Sequence, residues 1–257
     1  MSWPLAAFTV LGLGLLAGFA WYERTRPDAR IVALVGTLAA LAALGRIAFA
    51  AVPNVKPTSD IVLISGFALG GAPGYVVGAV AALTSNMFFG QGPWTPWQMV
   101  GWGLTGVAGA LLARLTRGRI GRLPLALVCF VLGFAFTALQ DGGDWVTYSD
   151  HSLAQLGLYV GRGIGFDFVH AIGCFGFAMA FGPALIRTLA RFRSRIEVRW
   201  LPAPGTSALL AAALLVAAAA VRPARALAHP PRRSPVTFLR SAQNRDGGFG
   251  PAPGQPS

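Results

Sequence analysis

Three ionisable side chains stand inside otherwise apolar stretches: Arg46, Asp167 and His170. A charge in hydrocarbon is costly, so such a group faces a partner, a water-filled cavity or a ligand. Counted from the ends of their segments, Arg46 and Asp167 lie at similar depth, and Asp167 and His170 share one helix face at i, i+3. Two roles fit. Arg46 and Asp167 can form a structural ion pair with His170 as a hydrogen-bonding core residue, or all three can meet a ligand.

A second set of residues gathers where apolar stretches are interrupted: Asn54, Lys56 and Asp60; then Asn86, Gln91, Trp94, Trp97 and Gln98; then Gln140, Asp141, Asp144, Trp145 and Tyr148. Lys56 is the only lysine in the chain. An aromatic belt with polar loops would account for these types. Their density in three loops of one membrane side points further, to a pocket for a flat, polar-edged ligand. Asn54, Gln91 and Asp144 are expected to bind its polar edge while Trp94 and Trp97 stack on it. Gly90, Gly92, Pro93 and Pro96 give the segment from Met87 to Trp97 an irregular path suited to a lid. Cys129 and Cys174 lie in apolar segments and read as small hydrophobes. They define no metal site and no disulfide framework. Ser65 with His170 suggests an intramembrane hydrolase, but Leu63-Ile64-Ser65-Gly66 lacks the preceding glycine and the sharp turn of a nucleophile elbow. The expectation is a protein without catalytic activity or a catalytic cofactor of its own.

These residues need helices in a bilayer to position them. Hydrophobic residues make up 54% of the 257, charged residues 12%, and mean hydropathy is +0.59. A soluble domain carries roughly a quarter charged residues. The formal charge of +12 comes from arginines at the ends of apolar runs rather than from a basic stripe interleaved with aromatics, which argues against nucleic acid. About eight spans are expected, beginning with Trp3 to Tyr22 and Ile31 to Val52. A single helix over Ile61 to Gly90 would be about 45 Å long, so the Gly70-Gly71-Ala72-Pro73-Gly74 turn divides it. Further helices are read over Gln98 to Leu115, Leu123 to Gln140, Ile164 to Leu189 and Thr206 to Val221, with Asp141 to Ser152 as a polar loop and Leu153 to Arg162 as a short interfacial helix. Arginines at 24, 26 and 30, across 114–122 and across 187–199 fall on one side, which the positive-inside rule makes the cytoplasm. Both termini then lie outside.

The stretches Val52-Pro-Asn-Val-Lys-Pro-Thr-Ser-Asp-Ile61, Asn86-Met-Phe-Phe-Gly-Gln-Gly-Pro-Trp-Thr-Pro-Trp-Gln98 and Phe166-Asp-Phe-Val-His-Ala-Ile-Gly173, with the Gly-Ala-Pro-Gly turn, resemble substrate-specific S components of energy-coupling factor transporters. The resemblance implies a six-helix bundle over 31–192 that binds a vitamin or its precursor from outside. It also implies partners: a transmembrane coupling subunit and two ATPases. Gly36, Ala39, Ala40 and Ala43 are the positions it assigns to docking of the coupling subunit. No Walker motif occurs in the chain, so ATP hydrolysis would come from those partners. Phe238-Leu-Arg-Ser-Ala-Gln-Asn-Arg-Asp-Gly-Gly-Phe-Gly250 is similar to the opening repeat of prenyltransferase and squalene-cyclase-like toroids. That architecture also serves extracellular cobalamin carriers, which makes cobalamin a candidate ligand by analogy.

The resulting expectation is an all-α, multi-pass protein of the cell membrane: a six-helix S-component-like bundle with one additional membrane helix at each end. Its parts are an extra helix and loop (1–30), the bundle (31–192), a linker with a final helix (193–228) and a basic Pro/Gly-rich tail (229–257). Asn54, Lys56, Asp60, Asn86, Gln91, Trp94, Trp97, Gln98, Asp141, Asp144, Trp145, Asp167 and His170 are the expected substrate contacts, with no metal among them. The alternative classes are an ion-coupled carrier using Asp167 and His170, and the hydrolase. The segment from Arg187 through Ala208 to Ala220 and Ala226-Leu-Ala228 has the order of a secretory signal, so export and cleavage of the tail is a further expectation, against an ordinary alanine-rich helix.

Overall fold

The computed structural model describes residues 2–196 of a chain that divides into two units, Met1–Val198 and Arg199–Ser257. The expected final span, the cleavage sequence and the toroid-like repeat lie outside the described residues. Within them the protein is all helical: α1 (Trp3–Arg24), α2 (Ala29–Ala48), α3 (Thr58–Leu69), α4 (Gly71–Phe89), α5 (Trp94–Leu115), α6 (Arg122–Tyr148) and α7 (Leu153–Ile196). Five of these, α1, α2, α4, α6 and α7, are long and apolar enough to cross a membrane. The described residues therefore form a multi-pass membrane bundle.

Local chemistry sets most boundaries. Asp28 caps α2 by accepting from the amides of Arg30 and Ile31, both at 2.9 Å. Gly70, at φ +105°, makes the break between α3 and α4 that an L side chain would resist. The connections then alternate between two ends. Residues 49–57, 90–93 and 149–152 meet at one end, and the arginine-bearing ends of α1, α5 and α7 meet at the other. The start of α1 belongs to the first end, where the ring of Trp3 stacks on His151 at 5.5 Å.

Three boundaries differ from the sequence reading. The expected lid shrinks to Gly90–Pro93, because α4 runs to Phe89 and α5 begins at Trp94. Pro96 is tolerated there since the first helical turn has no intrahelical use for its missing N–H. Residues 141–148 continue α6 instead of forming a loop. The short interfacial helix and the following span are one 44-residue helix, α7. Its Gly161, Gly163 and Gly165 look like a break, yet Gly163 is where the carboxyl of Asp141 presses on the helix, and a Cβ there would lie 1.9 Å from Asp141 Oδ2.

The centre is a glycine seam. A Cβ on Gly66 would fall 1.8 Å from the carbonyl oxygen of Gly106, and one on Gly106 would fall 2.2 Å from that of Gly74. Backbones of α3, α4 and α5 therefore touch, the packing that replaces the hydrophobic effect inside a bilayer. The extra helix α1 rests on the same group: Gly18 faces the Tyr75 ring, and Tyr75 donates to the carbonyl of Gly14 at 3.1 Å. On α2, Ala39 and Ala43 are turned into the bundle, 1% and 5% exposed. They cannot serve as an external docking face as expected. Gly36 and Ala40 are exposed, and nothing lies within 4 Å of a Cβ built on Gly36.

Candidate functional site

At the arginine-poor end a cavity of about 400 Å³ opens among α2, α5, α6, α7 and the 49–57 connection, and it gathers Asn54, Lys56, Gln98, Asp141, Asp144, Asp167 and His170 from the expected site. Arg46 lines it as well. The walls also include Phe89, Trp102, Phe136, Thr137, Gln140 and Phe166.

A hydrogen-bond chain fixes the floor to the rim. His170, 2% exposed, has Nδ1 at 2.9 Å from the carbonyl of Asn54 and Nε2 at 3.0 Å from Ser59 Oγ. A carbonyl only accepts, so the proton sits on Nδ1 and Nε2 accepts from the serine. Ser59 Oγ in turn accepts from Trp102 Nε1 at 3.0 Å. Every polar atom of this chain is used. Trp102 also stacks flat on Phe136, with centroids 4.5 Å apart and planes 12° from parallel, which makes a rigid aromatic surface.

The rim is held from several sides. Asn54 sits at φ +52°, a left-handed conformation that asparagine adopts readily, and donates from Nδ2 to the carbonyl of Phe166 at 2.7 Å. Lys56 donates to the carbonyls of Phe49 and Val52, neutralising the C-terminal end of α2. Desolvation, then the Arg46 charge, lowers the pKa of Lys56. Arg46 does not pair with Asp167. Its Nη1 donates to Ser85 Oγ at 2.7 Å and to Asn86 Oδ1 at 2.6 Å, while the guanidinium lies 4.6 Å from the Phe89 centroid and 5.0 Å from that of Trp102.

Other expected contacts have different places. Asn86 is fully buried behind Arg46 and donates to Thr95 and Gln98, so it positions residues rather than touching a ligand in the main cavity. It does line an adjoining cavity of about 560 Å³ with Trp94 and Tyr148. Gln91 folds back onto α4, donating to the carbonyl of Leu83. Trp97 packs its indole against Gly143 of α6. Trp145 donates to the carbonyl of Ser152 and meets His151 edge to face. Asp60 is 1% exposed, with both carboxyl oxygens lacking a conventional hydrogen bond and facing the thiols of Cys129 and Cys174. None of these four, Gln91, Trp97, Trp145 and Asp60, lines the cavity. Ser65 donates to the carbonyl of Ile61 at 2.6 Å within its own helix, and His170 is partnered by Ser59 instead.

Sequence reasoning missed Trp102 and Phe136. The available signal was spacing: each lies four residues from a polar rim residue, Gln98 and Gln140 respectively, on the same helix face.

Comparison with known proteins adds one relative. The chain is similar to a UPF0397 protein of Vibrio atlanticus (strain LGP32), 26% identical over 137 residues, which is 51% of this chain and 73% of that protein. No family model matches the chain. No solved structure matches it.

Proposed function

We propose that this chain is the substrate-binding membrane subunit of an ATP-driven uptake transporter of the energy-coupling factor type. It captures a small, flat molecule from outside the cell and depends on a transmembrane coupling subunit and two ATPases for movement. The observation that carries this reading is the polar cavity of about 400 Å³, floored by stacked Trp102 and Phe136, at the arginine-poor end of a multi-pass bundle. The positive-inside rule puts that end outside the cytoplasm.

The segments that resemble S components supply its walls. The 52–61 stretch brings Asn54 and Lys56, the 86–98 stretch Phe89 and Gln98, and the 166–173 stretch Phe166, Asp167 and His170. Small-ligand pockets run from roughly 300 to 1,000 Å³. This cavity is at the lower end, so a compact ring system such as a small vitamin or vitamin precursor suits it. A corrinoid such as cobalamin would have to spread into the adjoining cavities. Gly36 and Ala40 form the exposed small-residue face proposed for the coupling subunit.

A second reading, an ion-coupled carrier, draws on the buried carboxyl of Asp167 in the cavity wall. Radiolabelled uptake of a co-purified ligand in cells separates them. Loss of uptake on deleting the ATPases supports the first reading. Uptake that survives that deletion and collapses with the proton gradient overturns it.

A further inference from the structure

The charges in the cavity wall are not equivalent, and their difference selects a ligand class. Both cations are already engaged with the protein. Arg46 is tied to Ser85 and Asn86 and stacked on aromatic rings, and Lys56 is tied to two carbonyls. The carboxylates are less so. Asp167 is 3% exposed and lines the cavity. The hydroxyl of Thr137, shared with the carbonyls of Phe134 and Gly133 at 3.0 and 3.3 Å, is its neighbouring side-chain donor. Asp141 has Oδ2 buried with no hydrogen-bond partner. Asp144 completes the group, and Asp141 lies close enough to both others to be repelled by them. Arg162 shares the adjoining cavity of about 460 Å³ with Asp141 and Asp144 and is absent from the lining of the cavity that holds Asp167. Several carboxyls sharing a partly desolvated site are strained until donors or positive charge enter among them.

Resting on the capture function proposed above, we infer that the ligand is a flat ring bearing N–H donors or positive charge, such as an amidine, an aminopyrimidine or an aryl amine cation. Its ring lies along Trp102 and Phe136, and its donors meet Asp141, Asp144 and Asp167. The Arg46 guanidinium already lies over the Trp102 ring, so the floor supplies apolar contact while the carboxylates favour donors or positive charge.

Three probes of one shape and different charge test this: benzamidinium, benzamide and benzoate. Each is titrated against the purified full-length chain in detergent and followed by saturation-transfer NMR. Benzamidinium is expected to bind about tenfold more tightly than benzoate, the scale of one charge-assisted hydrogen bond, with benzamide between them. Asp144→Asn, at a half-buried position, is expected to remove most of that preference, and Asp167→Asn to do the same if its fold is intact by circular dichroism. Benzoate binding as well as benzamidinium, or a preference unchanged in Asp144→Asn, overturns the inference. Absence of binding by all three probes overturns it too. Native mass spectrometry then separates the two failures: a small molecule retained by the chain leaves capture standing and removes only the ligand class, whereas a bare chain removes both.

Discussion

The hydroxyl of Ser59 lies 3.0 Å from Nε2 of His170, and through that contact the first turn of α3 is joined to the middle of α7. On one side Ser59 receives the indole N–H of Trp102, and on the other His170 holds the backbone of Asn54. The ring that floors the cavity and the loop that rims it are thus set by one line of hydrogen bonds.

His170→Ala is expected to leave the Asn54 carbonyl and the Ser59 hydroxyl without their partner, costing roughly 1–3 kcal/mol of stability. Ser59→Ala should cost a similar amount by stranding the Trp102 N–H. The double variant should cost clearly less than the sum, because both changes break one chain. Thermal unfolding of the three variants in detergent measures this. Simple additivity would show that the two residues act independently.

Two of the three tryptophans of α5, Trp94 and Trp102, should separate in a binding assay. Trp102→Ala removes the stacked floor and is expected to weaken ligand binding by at least about 1.4 kcal/mol, a factor of ten. Trp94, 39% exposed, lines only the adjoining cavity, and Trp94→Ala should change affinity several-fold less. Equal losses would mean that the ligand sits across both cavities.

Much of this arrangement can be read from the residues, and the unread part has a physical cause. The three polar interruptions around residues 54, 91 and 144 do meet at one end, since helix connectivity and arginine placement settle which ends coincide. Seven of the expected contacts line the cavity for the same reason. Rotation about each helix axis is a different matter. In α3 every residue from Thr58 to Ala68 is buried, polar and apolar alike, so periodicity selects no inward face, and nothing in the spelling of Ser59-Asp60 says that the first meets His170 while the second faces two thiols. Trp97 and Trp102 are likewise both on α5, but one packs on Gly143 and the other on Phe136. The glycine seam at 66, 74 and 106 was also hidden, because glycine is frequent throughout membrane helices.

Arg46 depends on the amide behind it. Asn86→Leu is expected to remove one charge-assisted bond to the guanidinium together with the bonds to Thr95 and Gln98, destabilising the bundle by about 2–4 kcal/mol. Arg46→Met alongside it should recover part of the loss, because no guanidinium is then left without its acceptor. Unfolding by denaturant or heat reads both. A double variant less stable than Asn86→Leu would contradict this account of Arg46.

The small residues of α2 and of the seam should behave oppositely. Gly36→Leu places a side chain in open space, so folding and ligand binding should be unchanged while ATP-driven uptake falls if the coupling subunit docks there. Gly106→Ala drives a methyl group into the Gly74 backbone and should impair folding itself. Uptake unaffected by Gly36→Leu would place the docking surface elsewhere.

The central claim, that the cavity over Trp102 captures a small molecule, is tested most directly by native mass spectrometry of the full-length chain released from mild detergent. The wild type is expected to carry one small organic molecule that is neither lipid nor detergent, and the same molecule should be absent from Trp102→Ala purified in parallel. A wild-type spectrum showing only the polypeptide with lipid or detergent, or a molecule retained equally by Trp102→Ala, would contradict it.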